Sequence, residues 1–306
     1  MMEEKEAYSM DIRTLHYFLT VAREESITGA AEFLHMTQPP LSRQLKDLEE
    51  ELGVQLMIRG SRKITLTEEG MILRKRAEEI IELLHKTERE VNSSRESVTG
   101  DVYIGGGETD AIRLIAKVAR SLQKIHPQIH YHISSGDAKD VMERLDKGLI
   151  DFGILLDFAD ITKYQYLRFP DKDVWGVLMR RDSPLAEKDA VSPEDLWDKP
   201  LMVSRQTLNS SQLPNWLGKD FSQLDVVLTY TLIYNASLLV DEGFGYAFCL
   251  DKLINTKGTS LCFKPLCPRQ EIGLSIVWKK HQVFSKAAEK FLEQVKKELA
   301  AEGADH

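Results

Sequence analysis

The stretch that most constrains the fold of this chain runs from Ser26 to Thr67. Within it, Leu41, Leu45, Leu48 and Leu52 recur at i, i+4, i+7 and i+11, an apolar stripe that fits one face of an α-helix and does not fit a strand. The spacing predicts a helix from about Gln38 to Leu52 whose opposite face carries Pro39, Arg43, Lys46 and Glu50. Thr37 stands where an N-cap belongs. Pro39 and Pro40 fall in the first turn, where backbone N–H groups have no intrahelical partner. Upstream, Leu15, Phe18, Leu19 and Ala22 give Ile12 to Ala22 helical spacing, and Ala30, Ala31 and Leu34 make Thr28 to Leu34 a short second helix. His35-Met36-Thr37 then supplies the three-residue turn of a helix-turn-helix.

After Gly53, Val54 to Ile58 reads as an apolar strand, Arg59-Gly60-Ser61-Arg62-Lys63 as a turn and Ile64 to Leu66 as a second strand. The whole is a winged helix-turn-helix. Three cations crowd the tip of the wing with no acid among them. They suit backbone phosphates, while the helix face offers Gln38, Ser42 and Arg43 to base edges in the major groove, Arg suiting guanine and Gln suiting adenine. Charge total does not argue for DNA, because Asp11 to Leu66 holds seven Lys and Arg against eight Asp and Glu. A small helical domain with a solvated charged face has the same balance, so the argument rests on where the cations lie.

Ala30-Ala31, then Thr37-Gln38-Pro39-Pro40-Leu41-Ser42-Arg43-Gln44-Leu45, Leu48-Glu49, Leu52-Gly53, Arg59, Arg62 and Leu66-Thr67-Glu68-Glu69-Gly70 resemble the LysR-type transcriptional regulators. The departures are Pro40, where alanine is usual, and Met57, where phenylalanine is usual. The resemblance implies a recognition helix in the major groove and a wing at the flanking minor groove. Thr37, Gln38, Pro39, Ser42, Arg43 and Lys46 would then be the helix contacts, with Arg59, Arg62 and Lys63 from the wing. The DNA-binding domain is expected to cover 10–67.

A chain of 306 residues has room for more than one domain. With 42% hydrophobic residues and no run near the roughly 20 apolar residues of a membrane span, it reads as an ordinary soluble protein. The start, Met1-Met2-Glu3-Glu4-Lys5-Glu6, is too charged for a signal peptide, so the cytoplasm is the expected location. A net charge of −8 argues against generalised nucleic-acid affinity and for localised, salt-sensitive binding to double-stranded promoter DNA.

Thr67 stands at the N-cap of an expected long helix, with Glu68 and Glu69 favourably placed near its positive end. Leu73, Ala77, Ile80, Leu84, Thr87 and Val91 follow at alternating steps of four and three, the a/d pattern of a short coiled coil. Such a stripe either packs against its own domain or joins two copies of the chain. A helix projecting between domains favours the dimer, which would present two recognition helices to two half-sites. The linker helix is assigned to 68–97. The family resemblance implies the same linker-helix homodimer, often assembled into a homotetramer, with RNA polymerase as a further partner.

From Gly100 the pattern changes to α/β. Strands are expected at Val102 to Ile104, Ile129 to Ile133 and Phe152 to Leu155, with helices at Ile112 to Lys124 and Ala138 to Lys147. This alternation predicts a parallel sheet flanked by helices. A second unit, beginning near Tyr164, alternates again through Val174 to Met179, Leu201 to Val203, Val226 to Ile233, Ser237 to Val240 and Tyr246 to Leu250. A strand at Ile272 to Trp278 and a helix at Ser285 to Leu299 close the chain. Crossings near Thr162 to Arg168 and Leu266 to Glu271 would leave a cleft between two lobes, about 98–163 with 269–300, and about 164–268. Gly148-Leu149-Ile150-Asp151, Ser183-Pro184-Leu185-Ala186 and Gly243-Phe244-Gly245 resemble the effector-binding half of the same regulators, a bilobed periplasmic-binding-protein-like (type 2) domain expected over 98–300. Leu250 and Ala116 stand where that family commonly has proline.

Ligand sites in open α/β sheets lie beyond the carboxyl ends of the strands. The candidate effector contacts are therefore Gly107, Glu108 and Thr109 after the first strand, Ser135 and Gly136 after the next, and Ser204, Arg205 and Gln206 in the second half. Gly105-Gly106-Gly107 is not a dinucleotide fingerprint, because that pattern needs glycine where Asp110 stands. Either it is a tight turn, or its small residues let a ligand approach the backbone ahead of a helix capped by Thr109. Arg205 suits a carboxylate or phosphate. Glu108 suits an amine or a hydroxyl-rich ligand, and an amino acid would satisfy both. The two side chains could equally pair with each other or face solvent.

Cys249, Cys262 and Cys267 are odd in number and lack a Cys-x-x-Cys spacing, as expected of reduced thiols. His126, His130 and His132 have no carboxylate or thiol cluster nearby in sequence, which favours a solvated strand face over a metal site. No cofactor is implied, and no nucleophile elbow or zinc-helix motif marks an enzyme. A ligand-responsive transcription factor accounts for all three regions. A transport-type solute-binding protein accounts only for the last and needs an export signal.

Overall fold

The computed structural model describes residues 10–60, 63–92, 98–157 and 159–302. The chain divides between Val91 and Asn92 into two compact units.

The first unit begins with α1 (Ile12–Glu24), whose N-cap Asp11 accepts from the Thr14 N–H at 2.6 Å. In α2 (Ile27–Phe33), Ser26 accepts from the Gly29 N–H at 3.1 Å. After the turn, in which His35 takes a left-handed φ of 53°, comes α3 (Gln38–Leu52), ended by Gly53 at φ 66°. Leu41, Leu45 and Leu48 are buried against Phe18, Val21, Ile27, Ala30 and Ala31, each contributing about 1.5–3 kcal/mol of apolar burial. Two expectations need correction. Leu52 is exposed rather than part of the stripe, because Gly53 turns the chain away there. Thr37 occupies the N-cap position, but its side chain makes no capping hydrogen bond. The first turn, opened by Pro39 and Pro40, has few N–H groups to cap.

The wing strands β1 (Met57–Arg59) and β2 (Ile64–Leu66) pair antiparallel, Met57 opposite Leu66 and Arg59 opposite Ile64. β1 starts later than the apolar run Val54 to Ile58. Glu49 on α3 accepts from the N–H groups of Leu56 at 2.7 Å and Met57 at 3.0 Å, so this backbone is bound to a helix side chain before it reaches a strand partner. Thr67 then accepts from the Gly70 N–H at 3.0 Å and caps α4 (Glu68–Asn92). The seam expected on α4 is split: Leu73 packs into the domain core and Ala77 is buried, whereas Ile80, Thr87 and Val91 are exposed. Ile72 and Leu83 are exposed beside them.

The second unit holds two sheets. Its first strands and helices are β3 (Gly100–Gly106), α5 (Ile112–Ile125), β4 (Ile129–Ser135), α6 (Ala138–Asp146), β5 (Phe152–Leu156) and β6 (Tyr164–Arg168). There follow β7 (Asp173–Arg180), β8 (Leu201–Ser204), α7 (Arg205–Leu208), α8 (Gln212–Leu217), β9 (Val226–Tyr230), α9 (Ile233–Asp241), β10 (Tyr246–Leu250), β11 (Leu261–Pro265), β12 (Glu271–Ile272), β13 (Leu274–Lys279) and α10 (Lys286–Glu302). The first sheet has the order β4-β3-β5-β13-β6, and the second β11-β7-β10-β8-β9 with β12 on β7. Neither is purely parallel: β13 runs antiparallel to β5 and β6, and β7 antiparallel to β10 and β11.

Strand β6 corrects the expected lobe boundary at 164. Tyr164 to Arg168 is the edge strand of the first sheet, paired with β13 through Tyr166 opposite Val277. Short and largely exposed, with only Tyr164 buried, it lacks a continuous apolar face and reads in sequence like a linker. The return crossing is likewise displaced, to Gly273 between β12, which pairs with β7, and β13. A Cβ on Gly273 would lie 2.3 Å from the Asp157 carboxylate, so any larger residue there would have to displace that side chain.

Candidate functional site

Because Leu41, Leu45 and Leu48 face the core, the other side of α3 faces outward, and Thr37, Gln38, Pro39, Arg43 and Lys46 are all exposed, with Ser42 half-buried. Arg43 makes no hydrogen bond or ion pair among the described residues, which leaves its guanidinium available. Lys46 lies 2.7 Å from Glu50, one turn on, and the hydrogen bond to that carboxylate raises its pKa. Lys63, at the described foot of the wing tip, lies 3.2 Å from Glu25. Both pairs are exposed and screened by solvent, so each contributes little and yields readily to a phosphate. The Arg59 backbone lies in β1, while its side chain and all of Arg62 lie outside the described residues.

In the second unit, residues from both sheets enclose a cavity of about 60 Å³. Gly107, Glu108, Thr109, Gly136, Ser204 and Gln206 line it, as the strand-end rule anticipates. Two of these side chains bind a helix N-terminus of the opposite lobe. The Glu108 carboxylate accepts from the Ile233 N–H, the first of α9, at 2.6 Å. The α9 N-cap, Leu232, offers no side-chain cap, so Glu108 fills that role where the helix dipole favours negative charge. Gln206 accepts from the Ala138 N–H, the first of α6, at 3.3 Å. Thr109 donates to Asp173 at 2.6 Å and accepts from the Ala111 N–H at 3.1 Å. It thus orders the turn into α5, although Ala111 is the N-cap. Burial holds the Asp173 carboxyl above the usual carboxylate range.

Two expected contacts lie elsewhere. Ser135 lines an adjoining outer cavity of about 500 Å³, which shares Gly107, Glu108 and Thr109 and adds Asp110, Arg113 and Lys252. Arg205 lines neither cavity. It is exposed on the first turn of α7 and lies 3.7 Å from Asp137, so it pairs neither with Glu108 nor with anything inside the cavity. The hydroxyl of Ser204 caps α7 through the Thr207 N–H at 3.1 Å. In the glycine run, a Cβ on Gly105 would meet Ile150 at 2.7 Å and one on Gly106 would meet Ile154 at 3.1 Å, so those two serve packing. Only Gly107 has open space, with the Gly136 carbonyl 3.8 Å away.

Several lining residues carry no sequence signal, among them Trp175, Tyr230, Ile233 and Leu274, which reach the cavity from distant strands and helices. The Trp175 indole N–H is buried without an acceptor among the described residues, a state that costs about 1–3 kcal/mol. Cys249 also lines the cavity, and burial pushes its thiol up to about 12. All three cysteines are free. His132 stacks on Tyr103 and lies 3.0 Å from Asp101, a carboxylate brought alongside by strand pairing. Among the described residues no group of three His, Cys, Asp or Glu could hold a metal ion, and no helix is long and apolar enough to cross a membrane.

The family model for the bacterial regulatory helix-turn-helix protein, lysR family, matches residues 12–71, and that for the LysR substrate binding domain matches residues 95–300. The HTH-type transcriptional regulator BsdA of Bacillus subtilis (strain 168) is 34% identical over 244 residues, 77% of this chain and 82% of its own. The Hca operon transcriptional activator HcaR of Escherichia coli (strain K12) is 28% identical over 299 residues, 95% of this chain and 99% of its own. Among solved structures, CbnR, a LysR family transcriptional regulator, matches with a TM-score of 0.76 at 20% identity, covering 95% of this chain and 99% of CbnR. Full-length CbnR complexed with its target DNA matches with a TM-score of 0.73 at 20% identity, covering 94% and 100%. At that identity the two structures show the fold alone. The two family models and the identity to BsdA go further: the chain belongs to the LysR family of bacterial helix-turn-helix transcriptional regulators.

Proposed function

We propose that α3 reads base edges in the major groove through Gln38, Ser42 and Arg43, with Thr37, Pro39 and Lys46 beside them, while Arg59, Arg62 and Lys63 position the wing on phosphates. The protein is a DNA-binding transcriptional regulator with an effector-binding domain. In this reading it works in the cytoplasm without catalysis, on double-stranded promoter DNA. It acts as a homodimer joined along the exposed edge of α4, assembled further into a homotetramer that meets RNA polymerase.

The effector is assigned to the interlobe cavity, and Gly107, Glu108, Thr109, Gly136, Ser204 and Gln206 are its proposed contacts, with Ser135 at the outer mouth. The carrying observation is that Glu108 and Gln206 each bind a helix N-terminus of the opposite lobe. A ligand seated there exchanges contacts made only when the lobes are together, and such differential binding is what shifts a two-state equilibrium. The shift would alter the spacing of paired DNA-binding units and hence promoter bending.

Gly107→Leu tests this, since a Cβ at Gly107 meets nothing nearer than the Gly136 carbonyl at 3.8 Å and a larger side chain there takes up space in the cavity that Gly107 lines. A metabolite that changes the wild-type footprint or bend should leave those of Gly107→Leu unchanged while DNA affinity is retained. An equal response in both proteins would place the effector elsewhere.

A further inference from the structure

Glu25 stands at the C-cap of α1 with φ 50° and ψ 20°, a left-handed conformation that glycine adopts freely and a residue with a Cβ adopts at a cost. From there it meets the wing at two adjacent residues. Its carbonyl accepts from the Ile64 N–H at 2.8 Å, and its carboxylate accepts from the Lys63 ammonium at 3.2 Å. Glycine would supply the first contact with less strain. What glutamate adds at this position is the carboxylate beside Lys63.

The backbone bond fixes where that carboxylate lies. Ile64 opens β2 opposite Arg59, and Lys63 immediately precedes it, its carbonyl accepting from the Gly60 N–H at 3.0 Å. At the start of the other strand, Glu49 accepts from the N–H groups of Leu56 and Met57. Both strands of the wing are thus anchored through backbone N–H groups, without help from the Glu25–Lys63 ion pair. The pair itself is open to water, with side chains 53% and 60% accessible, so it contributes little to folding. Its consequence lies in the field presented to DNA: a carboxylate at ion-pair distance from a wing cation lowers the positive potential offered to phosphates. Asp11 to Leu66 already balances seven Lys and Arg against eight Asp and Glu, so an acid at the DNA-facing edge counts directly against binding.

We propose that Glu25 is a positioning residue for DNA binding: it holds Lys63 against the end of α1 as a tethered stand-in for a phosphate, which duplex DNA must displace, and so limits the affinity of the wing for the backbone of any sequence. This rests on reading Lys63 as a phosphate contact. Phosphates carry no base information, so Glu25 weakens binding to a target site and to unrelated DNA alike. Its effect is electrostatic and acts through Lys63, which separates it from a residue that merely shapes the turn.

The test is binding of the full-length protein to a duplex selected by wild type and to a duplex of unrelated sequence, over a salt series. Wild type is compared with Glu25→Gln, Glu25→Gly and Lys63→Ala, and with each position-25 change combined with Lys63→Ala. In about 50 mM salt, Glu25→Gln and Glu25→Gly should bind both duplexes about three- to tenfold more tightly than wild type, and the gain should fall below about twofold at about 500 mM, where screening reaches within a few ångströms. Glutamine keeps the left-handed strain and glycine relieves it, so a shared gain assigns the effect to charge. Combined with Lys63→Ala, neither change should tighten binding. The Ile64 amide, bonded to the backbone of residue 25, should keep its hydrogen-exchange protection in both single variants, which reports a seated wing. Unchanged affinity in both variants, a gain that persists at high salt or without Lys63, or loss of Ile64 protection in both would overturn the proposal. Lys63→Ala alone separates it from the broader reading. Weaker binding by Lys63→Ala beside unmoved Glu25 variants keeps the wing on phosphates and refutes the role of Glu25, whereas wild-type binding by Lys63→Ala removes Lys63 from the phosphates and Glu25 with it.

Discussion

Glu49 links the recognition helix to the wing, and its removal tests whether the wing is held by α3. Its carboxylate accepts from two successive backbone N–H groups, Leu56 at 2.7 Å and Met57 at 3.0 Å, through the same oxygen. A hydrogen bond to a charged group contributes about 1.5–3 kcal/mol net. Glu49 is half-buried, so water takes up part of the loss. Glu49→Ala is expected to lower the local opening free energy of the wing by about 2–4 kcal/mol. Read as amide hydrogen exchange in full-length protein, that is about 30- to 700-fold faster exchange at Leu56 and Met57. The amides of Leu41 to Leu48 keep their protection if the loss is local. Glu49→Gln retains the accepting oxygen but not the charge, and charge-assisted bonds are about twice as strong as neutral ones, so its effect should be about half as large in free energy. DNA affinity should fall with the wing's anchorage, uniformly over sequences, since wing contacts to phosphate carry no base preference. Unchanged exchange at Leu56 and Met57 in Glu49→Ala would refute the reasoning.

Lys63→Ala should reduce the slope of log affinity against log salt by about 0.9, the signature of one phosphate contact, with sequence preference intact; an unchanged slope removes Lys63 from the interface. Burial raises the Asp173 carboxyl above its ordinary value. A carboxyl with a raised folded pKa favours the folded state below its unfolded pKa and penalises it as pH rises through the folded pKa. Asp173→Asn, which still accepts from Thr109, should therefore raise the Tm of the second unit near neutral pH and lose that gain in acid, and a lower Tm at neutral pH in calorimetric scans refutes this. With its thiol pushed up to about 12, Cys249 should resist iodoacetamide while exposed Cys267 reacts, since the thiolate is the nucleophile; comparable alkylation of both by mass spectrometry would contradict the burial.

What could be read in the sequence follows the range of the interactions involved. The leucine stripe and Gly53 fix α3 because helix periodicity and a left-handed C-cap are local properties. The start of the wing is not legible, since the N–H groups of Leu56 and Met57 bind a side chain seven and eight positions earlier. Strand ends in an α/β sheet point to the cavity whatever the sequence, which is why Gly107, Glu108, Thr109, Gly136, Ser204 and Gln206 could be named. The binding of Glu108 to the Ile233 N–H spans 125 positions and two lobes, and nothing in the periodicity of either segment announces it. Trp175 reads simply as a core residue of a buried strand, and only the absence of an acceptor among the described residues sets it apart. Arg205 shows the converse failure: it follows a strand end, yet the first turn of α7 directs it outward to Asp137.

Selection of bound duplexes from a random library by wild type and Arg43→Ala tests whether the exposed face of α3 reads bases. Arg43 is exposed on the face opposite the leucine stripe, and a bidentate arginine contact carries about 1–3 kcal/mol of discrimination against the wrong base. Wild type should select a two-fold symmetric site, and Arg43→Ala should relax the preference at one position in each half-site while still binding DNA. An identical preference in both proteins would show that Arg43 does not read the site and would contradict the assignment of α3 as drawn.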